Sequence, residues 1–329
     1  MEAQAKFHNR KMKRILVLGA GGQIGSELVP HLRSIYGESN VIASDVRVNK
    51  QLAAQGPFET LDALNASGLA ELAKQQHIDT FFNLVALLSA KGEANPQLAW
   101  KINMGALLNT LEVARELKAS VFTPSSIGAF GDSTPKDNTP QDTVMRPNTM
   151  YGVCKVTAEL LGDYYHSRFG VDARSVRFPG IISNVTLPGG GTTDYAVEIY
   201  YAAVKGEKFV CPIPQGVYMD MMYMPDALDA IVQLMEADGS KLKHHNSFNV
   251  AAMSFEPEQI YQEIKKRIPS FQMEYQIDPV RAAIARSWPN KLDDSVARAE
   301  WGWKPKWDLS SMTDDMLKRL GERHQRGDF

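Results

Sequence analysis

The chain has 329 residues and a formal net charge of -2, with 44% hydrophobic and 22% charged residues. This composition is typical of a globular protein with a sizeable core, in one large domain or two closely joined ones. The balance of 36 basic and 38 acidic residues gives no broad basic field, so neither nucleic acid nor a membrane surface is an expected partner. No apolar run approaches the roughly 18–20 residues of a membrane span.

Only two cysteines occur, Cys154 and Cys211, which suits neither a disulfide framework nor a four-ligand zinc site. We therefore expect no metal and a soluble protein in a reducing compartment. The first fourteen residues are polar and basic and lack the apolar core of a secretory signal. An expression remnant, a flexible lead and the stub of a processed organellar presequence all remain open for them, so both the cytoplasm and the mitochondrial matrix are possible locations.

The first predicted strand, residues 15–19, is a short aliphatic run that ends in glycine, as a buried parallel strand does. Gly19, Gly22 and Gly25 then recur at intervals of three before a helical pattern. These glycines allow a tight turn, close approach of backbone amides to a pyrophosphate, and packing of the helix against the strand. Gln23 and Ile24, in the same turn, are further candidate cofactor contacts. The turn predicts dinucleotide binding.

The second predicted strand, residues 40–45, ends in Asp45, about 20 residues beyond the glycines, where a ribose hydroxyl is bound. A carboxylate there repels the 2'-phosphate of NADP and accepts hydrogen bonds from a free ribose diol, which favours NAD. Arg47 would soften that preference. Asp62 and Ala63 are candidates for the adenine edge, although Asp62 is equally well explained as a turn or helix-cap aspartate.

The following elements alternate between strand and helix. A helix is predicted at 69–77, a strand at 79–86 and a long helix from Pro96 to about 114, and a strand at 120–123 carries the chain to the sheet edge where ligands bind. This order implies a doubly wound parallel sheet. We predict one domain over 13–178 and a smaller one over 179–329, with some later segments returning to the sheet. Met219, Met221, Met222 and Met224 are expected in a buried strand and core.

Tyr151 and Lys155 lie four positions apart in a predicted helix, which places them on one face, one turn apart. An ammonium held near a tyrosine hydroxyl favours the phenolate. A tyrosine adjusted in this way can take a proton from an alcohol while a hydride leaves the same carbon. The spacing alone is a weak signal, because a solvent-facing pair is the commoner explanation, and it gains meaning from the dinucleotide motif upstream.

Together these residues resemble the extended short-chain dehydrogenase/reductases, the family that includes nucleotide-sugar epimerases and dehydratases. Within that family the likeness is strongest to the short-chain L-threonine 3-dehydrogenases, through residues 85–90, 124–127, 189–195 and 251–255. The resemblance covers residues 13 to about 320 and has the following marks in chain order: Gly19, Gly22, Gly25, Asp45, 83–86, Asn103, Ser125, Ser126, Tyr151, Lys155, 177–180, 223–227, 248–250 and 301–305.

The resemblance implies a Rossmann-type NAD-binding sheet and oxidation of L-threonine at C3 to 2-amino-3-oxobutyrate. Tyr151 would be the general base, Lys155 would assist it and hold the nicotinamide ribose, and Asn103 would support a proton path. Ser125 or Ser126 would hydrogen-bond the reacting oxygen. The expected cofactor contacts are Gly19, Gly22, Gln23, Ile24, Gly25, Asp45, Arg47, Asp62, Ala63, Leu84, Val85, Ala86, Asn103, Tyr151, Lys155 and Pro179.

The same resemblance suggests how the amino acid is held. Its carboxylate and ammonium need partners once they are desolvated. The implied substrate contacts are Ser89, Ser125, Tyr151, Gly180, Thr192, Thr193 and Trp288, of which Ser89 is equally well a helix cap, Thr192 a loop residue and Trp288 a core residue. A homodimer through the long helices around Asn103 and Tyr151 is also implied. The alternative function is a nucleotide-sugar epimerase or dehydratase with tightly bound NAD.

Overall fold

The computed structural model describes residues 12–187, 189 and 191–329. Residues 1–11 lie outside this part, and with them nearly all of the segment considered above as a lead or presequence. Pro188 and Gly190, in the glycine-rich loop of the predicted substrate site, lie outside it as well.

Fourteen strands are described. They are β1 (Ile15–Leu18), β2 (Val41–Asp45), β3 (Phe58–Thr60), β4 (Thr80–Asn83), β5 (Ser120–Phe122), β6 (Ser125–Ser126), β7 (Asp172–Arg174), β8 (Val176–Phe178), β9 (Gly180–Ile182), β10 (Phe209–Cys211), β11 (Met219–Tyr223), β12 (Phe248–Asn249), β13 (Met253–Phe255) and β14 (Met273–Tyr275).

The described helices surround these strands. They are α1 (Gln23–Tyr36), α2 (Lys50–Ala54), α3 (Ala66–Gln75), α4 (Ser89–Ala94), α5 (Pro96–Leu117), α6 (Met150–Phe169), α7 (Tyr195–Lys205), α8 (Met224–Glu236), α9 (Pro257–Lys265), α10 (Pro279–Ser287), α11 (Ser295–Trp301) and α12 (Leu309–Gln325), with short 3-10 turns at Glu38–Asn40, Ile127–Ala129 and Thr192–Asp194.

The central sheet has six strands in the order β3-β2-β1-β4-β5-β7, and every pairing is parallel. Strand β1 is apolar throughout because it is covered on both faces. Ile15 and Val17 contact the core on the side of α1, and Leu16 and Leu18 contact the opposite core, which includes residues of α3, α5 and α6. The predicted doubly wound parallel sheet is therefore confirmed.

The predicted strand at 79–86 is shorter than expected. The sheet retains only Thr80–Asn83 as β4, and the chain then leaves the ladder. Leu84 still donates its amide to Leu18 at 2.9 Å, but the backbone of Leu87 is bonded to the side chain of Asn103. The prediction extended the strand to residue 86 because residues 84–86 are apolar, whereas these residues line cavities.

Strands outside the central sheet form three small sheets, mostly from residues beyond 175. Their orders are β12-β8-β6, β13-β11-β9 and β10-β14. Segments of the second half of the chain also reach the first half, since β12 pairs with β8 and α8 packs in the same core as α1. The division at residue 178 stays a prediction. The four methionines are confirmed as core, because all are at most 1% exposed in β11 and at the start of α8.

Within the described ranges, no helix has both the length and the apolar character needed to cross a membrane. Over the same residues, no group of three or more His, Cys, Asp or Glu side chains is placed to hold a metal ion. Cys154 and Cys211 are both free and buried.

Asp220, in β11, gives the fold a predictable response to pH. Its carboxylate is 1% exposed and accepts the amide of Leu292 at 2.9 Å. Burial raises the pKa of Asp220 to about 7, although backbone hydrogen bonds from Leu292 and Ala252 oppose the rise. The folded state therefore binds a proton more tightly than the unfolded chain does, and stability falls as pH rises from about 4 to about 7, by up to roughly 1.4 kcal/mol per pH unit.

We therefore expect Asp220→Asn to gain stability relative to the wild type as pH rises through this window. The asparagine can keep the oxygen that accepts the Leu292 amide, while its amide nitrogen replaces Oδ1, which has no hydrogen-bond partner among the described residues. Urea midpoints of both proteins at pH 5 and pH 8 test this. A stability difference that stays constant between these pH values contradicts the assignment.

Candidate active site

The glycine turn after β1 packs closely against neighbouring segments of backbone. Gly19 has a φ of 76°, and a Cβ there would lie 3.0 Å from the amide nitrogen of Val85. At Gly25 a Cβ would lie 2.6 Å from the carbonyl oxygen of Gly19. The turn thus places the start of α1, with its free amides, directly at the end of the central strand, as a pyrophosphate site requires.

Asp45 ends β2 beside this turn and accepts the Gly21 amide at 2.9 Å. A cavity of about 350 Å³ opens next to it. The cavity is lined by Leu18, Gly19, Gly22, Asp45, Val46, Leu61, Asp62, Ala63, Leu64, Leu84, Val85, Ala86 and Ile102. Its volume and lining suit an adenosine, with apolar walls for the base and a carboxylate for the ribose.

Two predicted residues in this region differ in their placement. Asp62 lines the cavity and also accepts the Leu64 amide at 2.9 Å. It therefore stabilises a local turn and borders the proposed adenosine site. Arg47 is exposed and is absent from the cavity lining. The open alternatives for Asp62 are therefore both compatible with its position.

A second cavity, of about 150 Å³, lies at the carboxyl end of the sheet and gathers the predicted chemistry. It is lined by Gln23, Ile24, Leu84, Ala86, Leu88, Ser89, Pro124, Ser125, Ser126, Ile127, Tyr151, Lys155, Phe178, Pro179, Gly180, Ile181, Gly191, Thr192, Thr193, Asp194 and Trp288. Leu84 and Ala86 line both cavities, which makes the two spaces neighbours along one groove.

Tyr151 and Lys155 share one face of α6, as predicted from their spacing. The Lys155 ammonium lies 5.3 Å from the centre of the Tyr151 ring and donates to the carbonyl oxygen of Pro124 at 2.5 Å. Thr149 caps the helix by accepting the Gly152 amide at 3.1 Å. The helix therefore begins immediately before Tyr151, so the tyrosine is held at its ordered first turn.

The two serines of β6 make different hydrogen bonds. Ser125 is 4% exposed and donates its hydroxyl to the carboxylate of Glu159. Ser126 is half-buried and accepts the Gly128 amide at 3.1 Å. Both line the cavity, but only Ser126 keeps its hydroxyl proton available among these contacts.

Asn103 lies behind the cavity in α5. Its Oδ1 accepts the Leu87 amide at 2.7 Å and its Nδ2 donates to the Leu87 carbonyl oxygen at 3.2 Å. It also borders a cavity of about 20 Å³ together with Lys155 and Cys154. Burial raises the pKa of the Cys154 thiol, so this neighbour of Lys155 is held as a neutral thiol.

The predicted substrate residues converge on this cavity from six segments of the chain. Ser89 is 4% exposed at the start of α4, and Thr192 is 3% exposed at the start of a 3-10 turn. Trp288 is 6% exposed and is also part of the core of the second half. Thr193 lies against Gly180, where a Cβ would approach its side chain at 2.7 Å. Ser89 does not cap α4, whose N-cap is Leu88.

Sequence reasoning missed two acidic residues. Asp194 lines the cavity, is 9% exposed, and accepts the Gly191 amide at 2.6 Å. Glu159 lies one helical turn beyond Lys155 and receives the Ser125 hydroxyl. The regular spacing of Tyr151, Lys155 and Glu159 was a usable signal for the second, because residues four apart share a helix face.

The fold and the site together define a nucleotide-dependent oxidoreductase: a Rossmann-type sheet edge built for a dinucleotide, next to a tyrosine and lysine suited to proton transfer from an alcohol. The glycine cradle and the Asp45 carboxylate fit NAD. Residues 15–251 match the NAD dependent epimerase/dehydratase family, and the chain belongs to that family. NAD is its cofactor.

Several proteins are similar to this one over nearly the whole chain. An uncharacterized epimerase/dehydratase of Staphylococcus haemolyticus is 55% identical over 316 residues, which is 95% of this chain and 99% of that protein. The L-threonine dehydrogenase of Clostridium difficile is 57% identical with a TM-score of 0.94, over 95% of this chain and 99% of that one. The holo GalE-like L-threonine dehydrogenase of Cupriavidus necator is 49% identical with a TM-score of 0.91, over 93% and 99%.

These comparisons confirm the resemblance to the extended short-chain dehydrogenase/reductases and to their threonine dehydrogenases. They also bear on location. The S. haemolyticus relative is bacterial and gives no support to the mitochondrial matrix.

We expect Asp45→Ala to weaken NAD binding roughly 10- to 100-fold, because charge-assisted hydrogen bonds contribute about 1.5–3 kcal/mol. NADP binding should weaken less, since its 2'-phosphate is repelled by the wild-type carboxylate. Dissociation constants for both cofactors, measured by protein fluorescence, test this. Asp45→Asn is the matched variant, because it keeps an acceptor for Gly21 and removes only the charge. Equal losses for both cofactors exclude Asp45 as the ribose ligand.

Proposed function

We propose that the protein oxidises L-threonine at C3 to 2-amino-3-oxobutyrate, with NAD accepting the hydride. The observation that carries this is the small cavity of about 150 Å³ that joins Tyr151, Lys155 and the two serines to Ser89 and Thr192. The similarity to two L-threonine dehydrogenases at 57% and 49% identity supports the same substrate.

The charges of the cavity suit a zwitterion. Lys155 is its one cation and Asp194 its one carboxylate among the described lining residues. Neutral hydroxyl groups of Ser89, Thr192 and Thr193 are among its other polar groups. The described lining therefore carries no net formal charge, which suits a zwitterion, whereas a nucleotide diphosphate brings two negative charges and finds no arginine among these residues.

Apolar residues complete the cavity. Leu88, Ile127, Phe178, Ile181 and Trp288 line it beside the polar groups. These side chains provide a surface for the methyl group at C4 of threonine and exclude water from the reacting carbon. One methyl group in an apolar pocket contributes discrimination of roughly 10- to 200-fold, so L-serine should be a much poorer substrate.

The mechanism assigns each step to a residue of the chain. Tyr151 takes the hydroxyl proton of the substrate as general base. Lys155, held against Pro124, places its positive charge 5.3 Å from the centre of the tyrosine ring, on the same helix face. A serine of β6 donates to the reacting oxygen and orients it. NAD, when bound, supplies the hydride acceptor in the adjoining groove.

The test of this function is formation of NADH, measured by absorbance with purified protein and NAD. L-threonine should give NADH, while L-allo-threonine and L-serine should give far less. The family also contains epimerases and dehydratases, so a UDP-sugar is the contrasting substrate. If no amino acid gives NADH and the UDP-sugar is converted without release of NADH, the protein is an epimerase instead.

We also propose a homodimer formed by α5 and α6. Trp100 and Leu108 of α5 are 44% and 39% exposed, and Leu160 and Tyr164 of α6 are 60% and 52% exposed. Leu161, in contrast, packs against the internal core. Exposed apolar side chains on neighbouring helices are typical of a subunit interface.

Leu160→Arg should then convert the dimer to a monomer, because a charge is buried at the interface. Light scattering coupled to size exclusion measures the change. Val280→Arg is the control, since Val280 is 66% exposed on α10, outside the two helices. A monomeric wild-type protein, or a Leu160→Arg protein that remains dimeric, contradicts this interface.

A further inference from the structure

We propose that Glu159 is a positioning residue for the reaction, which holds Ser125 and thereby sets Ser126 as the serine that serves the reacting oxygen. This inference rests on the proposed oxidation of an alcohol, and it assigns a role to a buried ion pair that the mechanism above does not use.

One face of α6 meets one short segment of chain at three successive turns. Tyr151 lies over Gly128, where a Cβ would come within 3.1 Å of its ring carbons. Lys155, one turn later, donates to the Pro124 carbonyl oxygen at 2.5 Å. Glu159, another turn later, accepts the hydroxyl of Ser125. Residues 124–128 are thus attached to the helix that carries the base at three places.

The Glu159 carboxylate is itself held by a buried ion pair. Arg177 binds it through Nη2 at 2.8 Å and through Nε at 3.0 Å, and both side chains are at most 5% exposed. Arg177 is fixed further by the Gln141 carbonyl oxygen at 2.7 Å and the side chain of Asn249 at 3.1 Å. A buried pair with every group bonded has little freedom to rearrange.

This arrangement determines the direction of the serine hydrogen bonds. A carboxylate only accepts, so Ser125 must donate its hydroxyl proton to Glu159. Ser126 accepts the Gly128 amide at 3.1 Å, which leaves its own proton free for another acceptor. The reacting oxygen of the substrate is an acceptor of that kind. Ser126, rather than Ser125, can therefore donate to it.

The strand geometry agrees with this assignment. Neighbouring residues of a strand point to opposite faces. In the pairing of β6 with β8, Ser125 lies opposite Arg177 and Ser126 lies opposite Phe178. Arg177 points to Glu159, away from the cavity lining, whereas Phe178 is part of the lining. Ser126 thus shares the face of Phe178, whereas Ser125, which also borders the cavity, shares the face of Arg177 and has its hydroxyl bonded to Glu159.

The experiment compares Ser125→Ala with Ser125→Thr. Alanine removes the donor to Glu159 but leaves the pair of Glu159 and Arg177 intact. Threonine restores the donor, and a cavity of about 20 Å³ bordered by Ser125 and Glu159 has room for its methyl group. We expect Ser125→Ala to lower kcat roughly 10- to 100-fold, the effect of a small misplacement of reacting groups, with KM for L-threonine and the Kd of NAD changed less than about threefold. Ser125→Thr should recover most of the lost kcat.

Glu159→Gln extends the test, because its amide group then faces the Ser125 hydroxyl or Arg177. We again expect a lower kcat with little change in KM. A double variant with Ser125→Ala should be no slower than Glu159→Gln alone. Glu159→Gln removes the charge partner of a buried arginine and can prevent folding. In that case the two Ser125 variants alone test the positioning role.

Two results overturn the proposal. A KM for L-threonine that rises tenfold in Ser125→Ala with kcat retained shows that Ser125 binds substrate directly. A kcat and KM both within about twofold of the wild type show that the pair of Ser125 and Glu159 serves stability alone.

A readout without substrate separates this inference from the proposed function. Amide hydrogen exchange over residues 124–130 should increase in Ser125→Ala and return to the wild-type level in Ser125→Thr, and unchanged exchange in Ser125→Ala contradicts the positioning role. Wild-type protein that forms no NADH from L-threonine contradicts the proposed function instead, and the variants are then compared on the UDP-sugar.

Discussion

Tyr151→Phe should lower kcat for L-threonine by 10² to 10⁴, the range that a positioned general base contributes. The substitution removes one oxygen and keeps the ring that lies over Gly128. The Kd of NAD should stay within about threefold, because the cradle of Gly19, Gly22 and Asp45 lies apart from the hydroxyl. Steady-state kinetics and fluorescence titration measure the two quantities separately.

Tyr164→Phe is the matched control. Tyr164 belongs to the same helix and is 52% exposed, so loss of its hydroxyl should leave kcat within about twofold. Turnover of Tyr151→Phe within tenfold of the wild type would remove Tyr151 from its role as base. A large loss in both variants would point to a defect of α6 as a whole.

Gly25→Ala should impair NAD binding more than any other substitution in the glycine turn. An added Cβ would lie 2.6 Å from the Gly19 carbonyl oxygen and 2.7 Å from the Cα of Ala20, and these backbone atoms cannot rotate aside. The start of α1 must then move away from β1. We expect the Kd of NAD to rise at least about tenfold, which is about 1.4 kcal/mol, and stability to fall by roughly 1–3 kcal/mol.

Gly321→Ala is the control for this substitution. Gly321 lies in α12, and an added Cβ would have no described atom within 4 Å apart from its chain neighbours and the nearby backbone of its own helix. Alanine there should leave NAD binding unchanged and raise stability by up to about 1 kcal/mol, since glycine disfavours a helix. Isothermal titration and thermal unfolding of the two variants give the comparison. A Gly25→Ala protein that binds NAD within twofold of the wild type would contradict the close packing described.

Local features were predictable from the sequence, and features that depend on distant pairing were not. The glycine turn and Asp45 follow one another along the chain, and the spacing of Tyr151 and Lys155 is a property of one helix. Their arrangement could therefore be inferred. The end of β4 could not, because residues 84–88 are apolar in either case and only the bonds of Asn103 to Leu87 show that the chain has left the sheet.

The substrate side of the site was harder to predict for the same reason. Sequence alone left Ser125 and Ser126 equivalent, because their difference depends on Glu159, whose own charge is balanced by Arg177 from another strand. Asp194 was overlooked because an aspartate after two threonines is ordinary at a helix start. Its relevance comes only from the cavity that it borders.

The pairing of β12 with β8 has a consequence for how the protein is made. Val176 and Phe178 are covered by core that includes Met222, Met224 and Phe248, residues that leave the ribosome much later. A nascent chain that has reached residue 178 therefore carries an incomplete core with an exposed strand edge, the kind of surface that associates with other chains. The six-stranded sheet is complete at β7, but the pairing of β8 with β12 needs about seventy further residues. Chaperone protection during that interval is the expected requirement.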